Sequence, residues 1–204
     1  ILRASFIVGL ATLFYLYEFF LRVMPTVITQ ELMQDFNIST ATLGHLLAGF
    51  FYAYAAMQIP AGILCDKYGP KICLTISVMV CAVATFLFQA TNNFWVAETA
   101  RMAIGAVSAC AFIGPLTLSA RWFEDRHQAM IAGMVQVMGC VGAIFAGPPV
   151  AAIVESHGWR ASLYYSAWIG VILAGAYWYW IQDYPSDHQE PTQNRRSEST
   201  HTLV

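Results

Sequence analysis

Two pairs of opposite charges stand where the surrounding sequence is almost wholly apolar. Glu18 and Arg22 lie four residues apart in one apolar run, and Glu98 and Arg101 lie three apart in another. On a helix, both spacings put the two side chains on one face. An ionised group at membrane depth costs about 3 kcal/mol even on a lenient insertion scale, so each must face a partner or a watery cavity. In one reading, Arg22 and Arg101 attract an anionic group of a small solute while Glu18 or Glu98 carries a coupling proton. The competing reading makes both pairs static salt bridges that hold their helices together. Tyr15 and Gln136 are candidates to hydrogen-bond the same solute, with plain interhelical contact as the alternative. His45 and Gln58 carry the same ambiguity, and His45 reads better as an interfacial residue than as a proton relay.

The elements that must position these residues are membrane helices. Of the 204 residues, 58% are hydrophobic and only 11% charged, which sets the chain apart from soluble domains. A bilayer core needs roughly 20 apolar residues per helix. Six runs of that kind cover about 4–28, 41–64, 71–90, 94–120, 128–153 and 161–181. Short connections of turn and capping residues make successive helices antiparallel neighbours. The expected architecture is therefore an all-α integral membrane protein, with residues 1–182 a six-helix bundle and 183–204 a polar linker or tail. With the N-terminus in the cytosol, the inner loops and tail hold Arg3, Lys67, Lys71, Arg121, Arg126, Arg195 and Arg196, and the outer ones only Arg160. Trp95, Trp159, Trp178 and Trp180 fall near run ends, as interfacial anchors do. The chain starts at Ile1 rather than Met, and the first run is too long for a removable signal peptide.

Composition also sets exclusions. Cys65, Cys73, Cys81, Cys110 and Cys140 are dispersed through apolar runs without metal-ligand spacing, so they read as small buried hydrophobes, and no metal or cofactor is expected. Basic residues are scattered and the net charge is −2, which speaks against nucleic acid. An intramembrane enzyme would need a histidine facing a nucleophile or a His-Glu-x-x-His helix; the third to sixth runs hold no histidine except near their ends, and no His-Glu-x-x-His occurs.

A third cluster is the loop Gly62-Ile-Leu-Cys-Asp66-Lys67-Tyr68-Gly69-Pro70-Lys71 between the second and third runs. Gly62 suits close helix approach, Gly69 suits the positive φ of a tight turn, and Asp66 and Lys71 can pair across it. The stretch Pro60 to Leu74 matches Pro149 to Leu163 as P-x5-acid-x2-G-x-base-x2-L. Both copies join the second and third helices of a three-helix set. Three is odd, so the copies fall on opposite membrane faces, as in an inverted repeat. In the fifth run, Gly139, Ala143 and Gly147 recur every four residues as a packing stripe ahead of Pro148 and Pro149.

The loop resembles the G-x-x-x-D-[RK]-x-G-x-[RK] signature of the major facilitator superfamily, with Pro70 where a base is usual. Arg101-x-x-x-Gly105 resembles that family's fourth-helix motif, and Tyr17-Glu-Phe-Phe-Leu-Arg22 resembles the first helix of its organic-anion symporters. Arg121-Trp-Phe-Glu124-Asp125-Arg126 is similar to its connection between helices four and five. The resemblance implies half of a twelve-helix fold, built as two inverted three-helix repeats. It further implies a secondary active transporter of a small, carboxylate-bearing organic solute, working by alternating access coupled to protons or another ion. Gly62, Asp66, Gly69, Lys71 and Arg126 would form its cytosolic gating loop, Arg126 pairing with Asp66. The implied setting is a bacterial inner membrane with both termini cytosolic, and the implied partners are a missing C-terminal half or a second copy. The alternative is a non-transporting six-helix membrane protein whose charges serve assembly with a partner.

Overall fold

The computed structural model describes residues 2–184, with side chains from residue 3. Every regular element among them is helical. The long helices are α1 (Leu2–Val27), α3 (Thr40–Tyr68), α4 (Pro70–Ala90), α5 (Phe94–Trp122), α6 (Gln128–Phe145) and α8 (Trp159–Trp180), joined by the shorter α2 (Thr29–Phe36) and α7 (Pro148–His157). Helices satisfy their own backbone groups, which is what permits spans in lipid. Five segments are long and apolar enough to cross a membrane: α1, α3, α4, α5 and the α6–α7 unit. The expected sixth, α8, has 22 residues, but Trp, Tyr and Ser dilute its apolar character. It nevertheless packs along α4 and α7.

Local chemistry sets the boundaries. Ser39 accepts from the Thr42 N–H at 3.3 Å and Asn93 from the Trp95 N–H at 2.9 Å, so α3 and α5 start on side-chain caps. Asn37 closes the α2 segment in a left-handed conformation, φ 51°. The predicted fifth helix is broken in two, because Pro148 cannot donate back to the carbonyl four residues earlier. The stretch 29–36, unassigned from its composition, forms a short amphipathic helix of about two turns that buries Leu32.

In the core, α1 and α5 touch each other and most of the remaining helices. Just over half of their apolar windows is buried, 56% each, against 22% for α3 and for α6–α7, whose outer faces stay bare. Two glycines bring backbones together. A Cβ at Gly105 would collide with the Phe50 carbonyl of α3, and one at Gly142 with the Leu16 carbonyl of α1. The expected stripe is revised accordingly: Gly139 accommodates the Tyr15 ring, but Gly147 meets only its own Ile144 carbonyl at 3.4 Å. Gly62 faces open space rather than a helix. Four cysteines are buried as expected, and Cys140 is exposed. Trp159 is no lipid anchor; it is buried and donates to Asp35 at 2.9 Å.

Gly105→Ala and Gly142→Ala are each expected to lower stability by about 1–3 kcal/mol through overpacking. Gly133→Ala, where nothing lies within 4 Å, should stay within about 0.5 kcal/mol of the parent in the same SDS-driven unfolding assay.

Candidate functional site

The first charged pair forms as its spacing requires. Arg22 Nε donates to Glu18 Oε1 at 2.8 Å, and Nη2 stands 2.7 Å from the same oxygen. The Glu18 side chain is fully buried, while 17% of the Arg22 side chain remains exposed. Glu18 Oε2 has no hydrogen-bond partner among the described residues. Aromatic rings wrap the guanidinium, with centroids of Phe19 at 4.4 Å, Tyr54 at 4.7 Å and Phe50 at 5.4 Å, a cation–π setting that keeps the charge accessible yet dry.

The second pair does not form. Arg101, 2% exposed, turns away from Glu98 and donates through Nη1 to the Leu21 carbonyl of α1 at 3.0 Å. The reason lies in α1 itself. Residue 25 is proline, so the N–H that would close the helical bond to Leu21 does not exist. Arg101 supplies the missing donor from α5. The other charges that act on it are Glu18 and Arg22. Its guanidinium sits 5.0 Å from the Phe50 ring, so both arginines share that ring. Glu98 instead lies half-buried along Gly49 of α3 and makes no ion pair among the described residues. The cluster thus sets two guanidiniums, Arg22 and Arg101, against the single carboxylate of Glu18.

Tyr15 and Gln136 do meet, the hydroxyl donating to Gln136 Oε1 at 3.1 Å and tying α1 to α6. Gln136 and Cys140, one turn apart on α6, are exposed beside Tyr15. The cluster therefore borders an open face. A hollow of about 720 Å³ lies elsewhere, between α1 and α6, lined by Val8, Thr12, His127, Met130, Met134 and Met138.

The gating loop also departs from expectation. Gly69 has the positive φ, 86°, but neither Lys71 nor Arg126 pairs with Asp66, which is exposed and has no ion pair or hydrogen bond among the described residues. Arg126 pairs locally with Glu124 at 2.9 Å. The acid at the turn is Asp183, which accepts from the Lys71 N–H at 2.8 Å and lies 3.9 Å from Arg121. Beside it, the Gln182 carbonyl accepts from Trp122 Nε1 at 3.1 Å and its side chain from Arg3 at 2.7 Å. Asp183 is the first residue of the expected polar tail, and a polar segment gives no sequence signal for docking at this depth in the fold. The tail beyond residue 184, with Arg195 and Arg196, lies outside the described residues.

A sequence model of the Major Facilitator Superfamily matches residues 8–203. The chain belongs to that superfamily. It is 26% identical over 192 residues to a probable sulfoacetate transporter of Cupriavidus necator, covering 94% of this chain and 45% of the relative. It is 27% identical to a hexuronate transporter of Escherichia coli, with 94% of this chain and 44% of that protein covered. A bacterial homolog of the human lysosomal transporter Spinster, solved in an inward-facing, unoccupied conformation, superposes with a TM-score of 0.81 at 19% identity, covering 96% of this chain and 47% of that one. That likeness gives the fold. The chain spans about half the length of these relatives. Family membership and the apolar spans together make it a multi-pass integral membrane protein.

Arg22→Ala strands a fully buried carboxylate and is expected to cost about 3–5 kcal/mol, whereas Glu18→Gln with Arg22→Ala should recover much of that loss. A double-mutant cycle in SDS-driven unfolding, with Glu18→Gln alone as its fourth corner, measures both; losses in the two single variants that simply add in the double variant would show that the pair does not couple.

Proposed function

We propose that this chain is one six-helix half of a secondary active transporter that moves a small carboxylate-bearing solute by alternating access, coupled to protons. The observation that carries the reading is the charge imbalance at the centre: among the described residues Arg22 and Arg101 face only the Glu18 carboxylate, and the partly exposed Arg22 lies against Tyr54 of α3, a helix whose outer face is bare. An anionic solute restores balance there, with charge-assisted hydrogen bonds from Arg22 and help from Gln136 and Tyr15. Glu18 is the group that can hold the coupling proton, since protonation would release Arg22 to the solute. Glu98, away from both arginines, is a second acid on the path. The names of the sulfoacetate, hexuronate and galacturonate transporters among the relatives fit an organic acid.

The open face needs a second wall, supplied by another half of the same protein or by a second copy. With the termini cytosolic, in a bacterial inner membrane, the Gly62–Lys71 loop and Arg126 lie at the inner mouth, where Asp66 is available to the opposite half. Asp183 takes over the place within this half that Asp66 leaves.

The test is uptake of labelled glucuronate, galacturonate and sulfoacetate by the full-length protein in liposomes. Arg22→Gln should reduce uptake about 10- to 100-fold, the equivalent of about 1.5–3 kcal/mol for a hydrogen bond to a charged group. Glu18→Gln should keep solute exchange but lose acceleration by an inward proton gradient. Uptake unchanged in Arg22→Gln, with weakened assembly, would favour charges that serve association instead.

A further inference from the structure

The turns that join α3 to α4 and α7 to α8 share one backbone. Gly69 has φ 86° and ψ 149°, and Gly158 has φ 81° and ψ 161°. Each glycine N–H returns to the carbonyl four residues earlier, Cys65 at 3.1 Å and Val154 at 2.8 Å. Positive φ is costly for any residue with a Cβ, so both positions select glycine. A base follows two residues later in each, Lys71 or Arg160.

What grips each turn is also matched. At the first, the Asp183 carboxylate from beyond α8 caps the α4 N-terminus through the Lys71 N–H and occupies the space where a Gly69 Cβ would sit, 2.7 Å from Oδ2. Arg121, from the end of α5, approaches it. At the second, Arg160 donates to the Gln89 carbonyl, to the Thr91 carbonyl at 3.2 Å and to Asn92 Oδ1 at 2.7 Å, all at or just past the end of α4. Asp35, from α2 just beyond α1, lies 3.4 Å from the same guanidinium and accepts from Trp159. Each turn is therefore held by residues past the third helix of the other three-helix set, with a charge from the end of its first. In physical terms, α4 has an acid at its N-terminus and a base on its orphaned C-terminal carbonyls, both complementing the helix dipole. Both groups belong to the ends of α8.

We propose that Arg160 is a positioning residue for transport, the opposite-end counterpart of the Asp183 clamp. The two clamps pin α8 along α4 at both ends, and through Asp35 and the broken α6–α7 helix they make the six helices turn as one body. Arg160 touches no solute and sets the rate of reorientation rather than affinity. This rests on the transport reading above.

The experiment compares the full-length protein with Arg160→Ala, Arg160→Lys, Asp35→Asn and, as a control, Glu155→Ala, whose acid is exposed. Equilibrium binding of labelled glucuronate gives Kd and the number of sites, and exchange gives the rate per site. The expected result for Arg160→Ala is a Kd within about twofold of the parent and a rate per site about tenfold lower, since about 1.4 kcal/mol on the reorientation barrier is a factor of ten in rate. Lysine should not rescue, because its single nitrogen lacks the planar fork by which Arg160 Nη1 reaches the Gln89 and Thr91 carbonyls while Nη2 reaches Asn92. Glu155→Ala should match the parent. Asp35→Asn, the milder change, should show the same split to a smaller degree, and it carries the test if Arg160→Ala does not fold. An unchanged rate per site, or a weakened affinity together with a slower rate, overturns the proposal. Should the parent bind no glucuronate, the transport reading loses support and hydrogen exchange decides the clamp. Faster exchange of amides 29–37 and 91–93 in Arg160→Ala supports it, and unchanged exchange there overturns it.

Discussion

Much of the centre of this bundle follows from one carbonyl without a donor. Pro25 removes an N–H from α1, which leaves the Leu21 oxygen exposed to an apolar interior. In lipid such a group costs several kcal/mol unless it is paired. Arg101 pairs it across from α5. Burying that guanidinium in turn calls for negative charge nearby, which Glu18 provides. Glu18 brings Arg22, one turn along α1, and Arg22 brings the aromatic rings of α1 and α3. Gly105 completes the chain of dependence, since only its missing side chain lets the Phe50 backbone come close enough to place one ring beside both arginines.

Around this centre, the helices divide the work. α1 and α5 carry the charges and are the most enclosed; α4 and α8 form a packed pair whose ends are fastened by Asp183 and Arg160; α3 and α6–α7 present apolar outer faces. The fastened pair needs no charges of its own in the apolar interior, because its polar contacts sit at helix ends, where orphaned backbone groups already need partners. The arrangement also explains why the loop signature and its partner acid are so far apart in the chain. Lys71 and Asp183 are separated by 112 residues, yet the antiparallel packing of α4 against α8 brings them together.

Helix placement was legible because apolar run length, Gly69, Ser39 and Asn93 are local signals that act through backbone chemistry alone. The Glu18–Arg22 pair was legible for the same reason: partners four apart on one helix need no tertiary information. The Glu98–Arg101 pair obeyed the same rule of spacing and failed, because a carbonyl on another helix competed for Arg101 more effectively than a carboxylate on its own. The sequence does carry a sign of this in Pro25, which removes from α1 the N–H that would close on Leu21. Asp66 and Arg126, which lie far apart in the sequence, do not pair within this half: Arg126 takes its near neighbour Glu124, and Asp66 has no ion pair among the described residues.

By itself, the sequence determined that the chain is a set of apolar helices, about where the long ones run, and that charges occur within them, because these depend on hydrophobicity, capping and the 3.6-residue period. It also carried the superfamily's motifs. The tertiary structure alone decided which partners on other elements the charged side chains take: Arg101 with the Leu21 carbonyl, Asp183 with the Lys71 N–H, Arg160 with the end of α4. A side chain's partner is set by the competition among all groups that packing brings within reach, and that competition has no counterpart along the chain.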